Sequence, residues 1–205
     1  MATSKAQRIG IIVIAVVMAV GTIGSFFIMI LANENQKADQ TQQQEEYQKQ
    51  MDEYQKQMEE MQKEQSKEAK KLSAQYYDEF KKYESLPEPY DESKVKKLET
   101  EDLKQGDGAV INTDTRYRAY YIGWNSEGKV FDGSIEDGAL KYPLEGGTSL
   151  IEGWVKGVEG MKIGGVRMIT IPGDMAYAQD QGADIKANAP LKFVVMAIPP
   201  AESEE

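Results

Sequence analysis

The hydrophobic positions divide the chain into three stretches that differ in pattern. Residues 9–32 are uncharged and almost continuously apolar. Residues 33–86 are rich in Gln, Glu and Lys, and hydrophobic residues recur there at intervals of three and four. From about Leu86 onward, Gly, aromatic and β-branched residues are mixed as in a globular domain. The pattern therefore predicts one folded domain preceded by two extended segments.

The first stretch, 9–32, is 24 residues long, and about 20 apolar residues are enough for a helix to cross a bilayer. A cleavable signal peptide has a shorter apolar core of about 7–15 residues, so an uncleaved transmembrane anchor is predicted. Lys5 and Arg8 precede this stretch, which by the positive-inside rule places residues 1–8 in the cytoplasm. The predicted location is that of a single-pass membrane protein with a cytoplasmic N-terminus and an extracytoplasmic C-terminal domain.

The second stretch, residues 33–86, is predicted to be a helical stalk. Between Glu45 and Gln65 it repeats every seven residues, as EEYQKQM, DEYQKQM and EEMQKEQ, and its Tyr and Met residues form one stripe. A second stripe begins out of phase at Ala69 and runs to Tyr83, a slip that resembles a coiled-coil stutter. Two alternatives remain for this stretch: a homodimeric coiled coil, or a single solvated helix held by its ion pairs.

Residues 87–102 are predicted to be a linker, because prolines end the helix there. The folded domain is predicted at residues 103–200, followed by an acidic tail at 201–205. Short runs rich in β-branched and aromatic residues predict a mostly antiparallel sheet, with a hairpin turn at 125–128. In the run at 166–171, residues alternate as in a strand covered on one side. The runs are 109–112, 116–122, 129–131, 166–171 and 191–198.

One segment of the domain has helical spacing instead. Ile151, Trp154, Val155 and Val158 fall at offsets of zero, three, four and seven, which predicts a short helix. Ser149 stands three residues before the Glu of this helix start, as in a capping box. A single short helix among strands predicts an α+β fold in which the sheet wraps over that helix.

The composition excludes several kinds of function. The net charge of -10 argues against nucleic-acid binding, because phosphate contacts need clustered Lys and Arg. The chain has no His and no Cys, which excludes thiol catalysis, zinc-thiolate sites and His-based triads. The sequence shows no paired carboxylates, phosphate loop or metal cluster, so no cofactor and no metal are predicted.

Five strings along the domain carry a resemblance to a known family. In order and interval they resemble the FKBP-type peptidyl-prolyl cis-trans isomerases, over about Leu103 to Ile198. The strings are YIG at 121–123, GKVFD at 128–132, LIEGW at 150–154, GVEGMKIG at 157–164 and IPGDMAY at 171–177. The resemblance implies an FKBP-like twisted antiparallel sheet wrapped around one short helix.

The resemblance also implies a site. Trp154 matches the floor of a shallow apolar pocket, and Asp132 and Tyr177 match polar residues at its rim; these three are the predicted catalytic residues. The predicted substrate-binding residues match the walls and the closing loop of that pocket. They are Tyr121, Phe131, Leu140, Leu150, Ile151, Ile185 and Phe193, and Leu140 requires a one-residue gap.

The chain departs from the family pattern at three places. Ile135-Glu-Asp-Gly138 stands where the family often has an Arg, so the polar half of the site lacks the usual ionic partner of Asp132. The loop at 185–189 lacks the two prolines common in the family, and Ala178 replaces a usual Gly. These departures predict a reduced activity or an altered substrate preference.

Rotation about a prolyl bond needs neither a nucleophile nor a metal, so the missing His and Cys do not count against this activity. The predicted function is the isomerisation of X-Pro bonds in exported proteins near the membrane, with proline-containing polypeptides as substrates. The alternative is a non-catalytic FKBP-like module that binds proline-containing segments.

Overall fold

The computed structural model describes residues 37–147 and 149–201, and within these ranges the side chains from residue 47 onward. The predicted anchor at 9–32 lies outside the described residues. Among the helices of the described ranges, none is long and apolar enough to cross a membrane. By their contacts the described residues fall into two units, which divide between Glu64 and Gln65.

The first helix, α1, spans Lys37–Phe80 and continues into a 3₁₀ turn at Lys81–Tyr83. This helix lies within residues 33–86, the range for which a helical stalk is predicted. Within the first unit, the seven-residue stripe is partly open to solvent: Tyr54 is 47% exposed and Met61 is 51% exposed. The second stripe, from Ala69 onward, belongs to the second unit.

The strands of the second unit are β1 Glu99–Lys104, β2 Arg118–Trp124, β3 Val130–Gly133, β4 Ile135–Glu136, β5 Ala139–Leu140, β6 Leu144–Glu145, β7 Val166–Ile171 and β8 Leu191–Ile198. They form an antiparallel sheet in the order β1-β7-β8-β2-β3, with β6 paired to one end of β2. A separate hairpin of β4 and β5 follows β3. The predicted antiparallel sheet is therefore confirmed.

The strand predictions differ in accuracy. The last two strands, β7 and β8, have the predicted bounds. The hairpin turn at 125–128 is also present: the Gly128 amide donates to the Asn125 carbonyl, and Gly128 has a φ of 77°. The run 109–112 forms no strand and makes a single bridge, between Val110 and Lys162. Strand β1 was not predicted, because Glu99–Lys104 is almost entirely polar.

The second helix, α2, spans Glu152–Val158 and confirms the predicted short helix. Its N-cap is Ile151, and no side chain caps it, so the predicted capping box does not form. The helix lies close against β7 because two of its residues are glycines. A Cβ on Gly153 would lie 2.2 Å from the Ile171 side chain, and one on Gly157 would lie 2.5 Å from that of Ile169.

The alternation of side chains along the strands produces two cores, one on each face of the sheet. On β2, Ala119 and Tyr121 face the core that contains α2, whereas Tyr120, Ile122 and Trp124 face the opposite core. We name these the front core and the back core. The fully buried strand residues of the back core are Tyr120, Trp124, Val166, Val194 and Ile198.

The end of α1 covers the back core. Leu72 and Phe80 are buried there, and Tyr76 packs against it. Glu68 accepts a hydrogen bond of 2.5 Å from the buried Arg118 guanidinium, which also donates to the carbonyl of Pro199. The sheet is therefore covered on both faces, which corrects the one-sided coverage inferred from the alternation at 166–171.

The residues between α1 and β1 also pack against the sheet. Tyr90 donates from its hydroxyl to the Pro190 carbonyl at 2.8 Å, and its amide donates to the Ser126 carbonyl at 3.0 Å. The Lys192 ammonium lies 4.8 Å from the centre of the Tyr90 ring. Part of the segment predicted as a linker therefore contacts the hairpin turn and the start of β8.

Candidate functional site

Four aromatic rings meet in the front core, where Trp154 and Phe193 are buried and Tyr121 and Phe131 are partly buried. The Trp154 ring centroid lies 5.5 Å from that of Tyr121 and 5.3 Å from that of Phe193, with the rings nearly perpendicular. Phe131 meets Phe193 at 5.6 Å in the same edge-to-face manner. Such T-shaped contacts are the favoured geometry of aromatic pairs and hold each ring in place.

The backbone elements place these rings by direct register. Gly123 of β2 lies opposite Phe193 of β8 and Asp132 of β3. A Cβ on Gly123 would lie 2.6 Å from a ring carbon of Phe193 and 2.8 Å from one of Phe131. The two phenyl rings can therefore meet because position 123 carries no side chain.

The indole of Trp154 is hydrogen-bonded to Tyr117, a residue that was not predicted from the sequence. The ring N–H of Trp154 donates to the Tyr117 hydroxyl at 3.2 Å, and both side chains are buried. Burial raises the pKa of Tyr117, so this hydroxyl stays neutral across the physiological range. Tyr117 has the same parity along the chain as Ala119 and Tyr121, and this alternation is the signal that could have placed it in the front core.

Asp132 forms the polar edge of the aromatic group. Its Oδ2 accepts a 2.5 Å hydrogen bond from the Tyr121 hydroxyl, and its Oδ1 accepts one of 2.8 Å from the Gly133 amide. The ammonium of Lys141 lies 3.6 Å from the same Oδ1. The carboxylate is therefore oriented by hydrogen bonds and has a cation beside it.

Tyr177 lies half-buried against the same core. Burial raises the pKa of its hydroxyl, and the negative charge of Asp132 raises it further. Tyr177 is therefore a protonated hydrogen-bond donor at neutral pH.

The loop between Tyr177 and β8 carries the buried Ile185 and is closed by hydrogen bonds. The Asn188 amide donates to the Tyr177 carbonyl at 2.7 Å, and the Gln181 amide donates to the Ile185 carbonyl at 2.9 Å. The Asn125 side chain also donates to the Asp184 carbonyl at 3.1 Å. These contacts restrain a loop that lacks the prolines expected from the family pattern.

The structure brings together most of the residues predicted from the sequence. Those that line or pack against the front core are Tyr121, Phe131, Leu150, Ile151, Trp154, Tyr177, Ile185 and Phe193. Leu140 is not brought to this group. It lies in the back core, and its amide donates to the Ser73 hydroxyl of α1. The short β4–β5 hairpin turns the Leu140 side chain to the other face of the sheet. This corrects the prediction of Leu140 as a substrate-binding residue, which required a one-residue gap in the comparison with the family pattern.

A metal site is not evident in this region. Within residues 37–147 and 149–201, no group of three or more acidic side chains has a geometry that could hold a metal ion. The groups near Trp154 that can contact a ligand are the aromatic rings, the oriented Asp132 carboxylate and the neutral Tyr177 hydroxyl.

Comparison with known proteins places this site in a family. Residues 106–198 match the family model of the FKBP-type peptidyl-prolyl cis-trans isomerases. The chain is 42% identical over 97 residues to FK506-binding protein 4 of Rhizopus delemar. The aligned residues cover 46% of this chain and 25% of that protein. It is 38% identical over 98 residues to a peptidyl-prolyl cis-trans isomerase of Saccharomyces cerevisiae, covering 48% and 24%. The chain thus spans about a quarter of the length of these curated relatives.

Solved structures give similar matches. A peptidyl-prolyl cis-trans isomerase of Pseudomonas syringae pv. tomato is 28% identical, with a TM-score of 0.43, over 49% of this chain and 73% of that one. AtFKBP13 is also 28% identical with a TM-score of 0.43, over 51% of this chain and 93% of that one. The family match makes residues 106–198 similar to the FKBP-type peptidyl-prolyl cis-trans isomerases, in agreement with the five sequence strings.

The predicted location is wrong. The relatives are named as FK506-binding proteins, and one that is 41% identical over 92 residues is the 39 kDa FK506-binding nuclear protein of Drosophila melanogaster. The aligned residues cover 44% of this chain and 26% of the Drosophila protein. The single-pass membrane location is therefore withdrawn, together with the role in exported-protein folding that depended on it.

Proposed function

We propose that this FKBP-type domain catalyses the cis-trans isomerisation of X-Pro bonds in polypeptides, at the site around Trp154. The observation that carries the proposal is the arrangement of the buried Trp154 ring. It is flanked edge-to-face by Tyr121 and Phe193, and Asp132 forms the polar edge of the group. This apolar surface with one polar side lies within the part of the chain that matches the isomerase family.

The chemistry of the reaction suits such a surface. Amide resonance imposes a barrier of about 18–20 kcal/mol on rotation, and breaking that resonance makes the imide less polar. An apolar surface that displaces water from the imide therefore favours the twisted transition state over the planar ground state. The Trp154 indole offers a flat surface for the proline ring, and the bond to Tyr117 fixes its orientation.

The polar groups of the site act by orientation and electrostatics. Tyr177 donates a hydrogen bond to a carbonyl of the substrate chain, because its raised pKa keeps the hydroxyl protonated. Asp132 holds the Tyr121 ring at the edge of the surface and places a negative charge beside the twisting imide. Neither role transfers a proton or forms a covalent bond.

The experiment compares the full chain with two site variants on a short proline-containing peptide. Wild type is expected to accelerate isomerisation above the uncatalysed rate. Asp132→Asn is expected to lower kcat/KM about tenfold or more, the value of one charge-assisted hydrogen bond. Trp154→Ala is expected to lower it further, with near-ultraviolet circular dichroism as the check on folding.

Asp78→Asn is the matched control, because Asp78 is an exposed acid on α1. Its kcat/KM is expected to equal that of wild type. A wild-type rate no faster than the uncatalysed one overturns the proposal. Peptide binding that depends on Trp154, measured without any rate increase, would favour the non-catalytic binding module instead.

A further inference from the structure

The carboxylate of Asp132 has a basic neighbour from an unexpected part of the chain. The stretch after β3, Ile135-Glu-Asp-Gly138, contains no basic residue. The structure instead places Lys141, which follows the β4–β5 hairpin, with its ammonium 3.6 Å from Asp132 Oδ1. The Lys141 side chain is 24% exposed and that of Asp132 is 38% exposed. The pair is thus partly shielded from solvent, where screening is weaker than at an open surface.

The backbone fixes the position of Lys141 relative to this site. Its amide donates to the Ser134 carbonyl at 2.8 Å. Ser134 is buried and bonded twice to Tyr121: its amide donates to the Tyr121 carbonyl at 2.7 Å, and its hydroxyl accepts from the Tyr121 amide at 2.9 Å. Lys141 and the aromatic residue that bonds Asp132 are therefore held by one buried serine.

Leu140, the residue before Lys141, is held by contacts with α1 and the back core. The Leu140 amide donates to the Ser73 hydroxyl of α1 at 2.9 Å, and the Leu140 side chain is buried in the back core. The stem of Lys141 therefore leaves a backbone segment that is restrained both by the sheet and by α1. When its ammonium meets the carboxylate, the entropy that is lost is that of the side-chain torsions, because the backbone is already fixed.

We infer that Lys141 is a positioning residue of the isomerase site, which holds the Asp132 carboxylate beside the Tyr121 hydroxyl and balances its charge. This inference rests on the proposed function. Lys141 acts through Asp132: one carboxylate oxygen faces the cation and the Gly133 amide, which leaves the other to hold the Tyr121 hydroxyl. Lys141 thus supplies the basic side chain that the stretch Ile135–Gly138 lacks.

The test is a double-mutant cycle on the full chain, with a short proline-containing peptide as the probe. Lys141→Gln is expected to lower kcat/KM about two- to fivefold at low salt, as for a partly exposed ion pair. The loss is expected to shrink at high salt and to be largely restored in Lys141→Arg. In the Asp132→Asn background, Lys141→Gln is expected to have no further effect, because its target charge is gone.

Lys97→Gln is the matched control, because Lys97 forms a similar ion pair of 3.7 Å with Glu99, with both side chains exposed. This variant is expected to behave as wild type. A kcat/KM of Lys141→Gln equal to that of wild type overturns the inference. So does a loss that persists undiminished in the Asp132→Asn background.

A second readout does not depend on activity. The Gly133 amide donates to the carboxylate oxygen that faces Lys141, so its NMR chemical shift reports the orientation of Asp132. It is expected to move in Lys141→Gln and to return in Lys141→Arg. An unmoved Gly133 signal overturns the inference, whereas an inactive wild type with a moving signal rejects only the proposed isomerase activity.

Discussion

Phe80 tests whether the end of α1 is part of the folded domain. It is the last residue of that helix and is fully buried in the back core. Its ring centroid lies 6.2 Å from that of Tyr120 on β2 and 6.4 Å from that of Tyr83. Replacing Phe80 by Ala removes the ring and leaves a cavity between the helix and the sheet.

The expected loss of stability is large. A buried Phe→Ala substitution costs about 3–5 kcal/mol, from the lost transfer energy and the cavity together. For a domain of this size, each kcal/mol lowers Tm by roughly 3–5 °C, so Tm is expected to fall by roughly 10–25 °C. Because a typical domain has only about 5–15 kcal/mol of stability, Phe80→Ala removes a considerable part of it.

The assay is urea and thermal unfolding of the full chain, followed by tryptophan fluorescence. The chain has two tryptophans, and both are buried: Trp124 in the back core and Trp154 in the front core. Met61→Ala is the control, because Met61 lies on the same helix but is 51% exposed. Its effect is expected to stay within about 0.5 kcal/mol. If Phe80→Ala loses no more stability than Met61→Ala, the docking of the helix end on the sheet is refuted.

Two further substitutions test other contacts of the domain. Tyr117→Phe leaves the buried Trp154 N–H without its hydroxyl partner. Unfolding should show a loss of about 1–3 kcal/mol, and the peptide assay a lower kcat/KM. Glu68→Gln tests pH dependence: the hydrogen bond from Arg118 holds the pKa of Glu68 below its ordinary value of 4.5 in the folded state. Its stabilisation is therefore present above the unfolded value and lost as pH falls through the lowered folded value. The urea midpoints of wild type and variant should therefore differ at neutral pH and converge once the pH is below the folded-state pKa.

Part of the front of the domain could be predicted from the sequence. Strands β7 and β8 could be bounded because apolar and β-branched residues dominate both runs, and turn-forming residues flank them. The aromatic residues of the site could be assigned because their strings occur in the family order. Lys141 could not be found this way, because its contact with Asp132 depends on how the β4–β5 hairpin folds back.

The back of the domain was harder to predict for a physical reason. In β2 and β8, residues of both parities are apolar, which indicates strands buried on both faces. This signal shows that a second cover exists but does not identify it. The second stripe of α1 has the matching periodicity, yet a hydrophobic helix face can pack on a sheet or on another helix.

The docking of α1 bears on the homodimer predicted through the stalk, which stays a prediction. Leu72 and Phe80 of the second stripe are buried against the sheet of their own chain, so that stripe is not available to a second copy. A coiled coil would then depend on the three seven-residue repeats between Glu45 and Gln65. About three to four repeats are needed to sustain a coiled coil, and Tyr and Met specify its partner less well than Ile and Leu. The change of phase at Ala69 therefore marks the point after which α1 packs on the folded domain, and the predicted coiled coil would use the repeats that precede it.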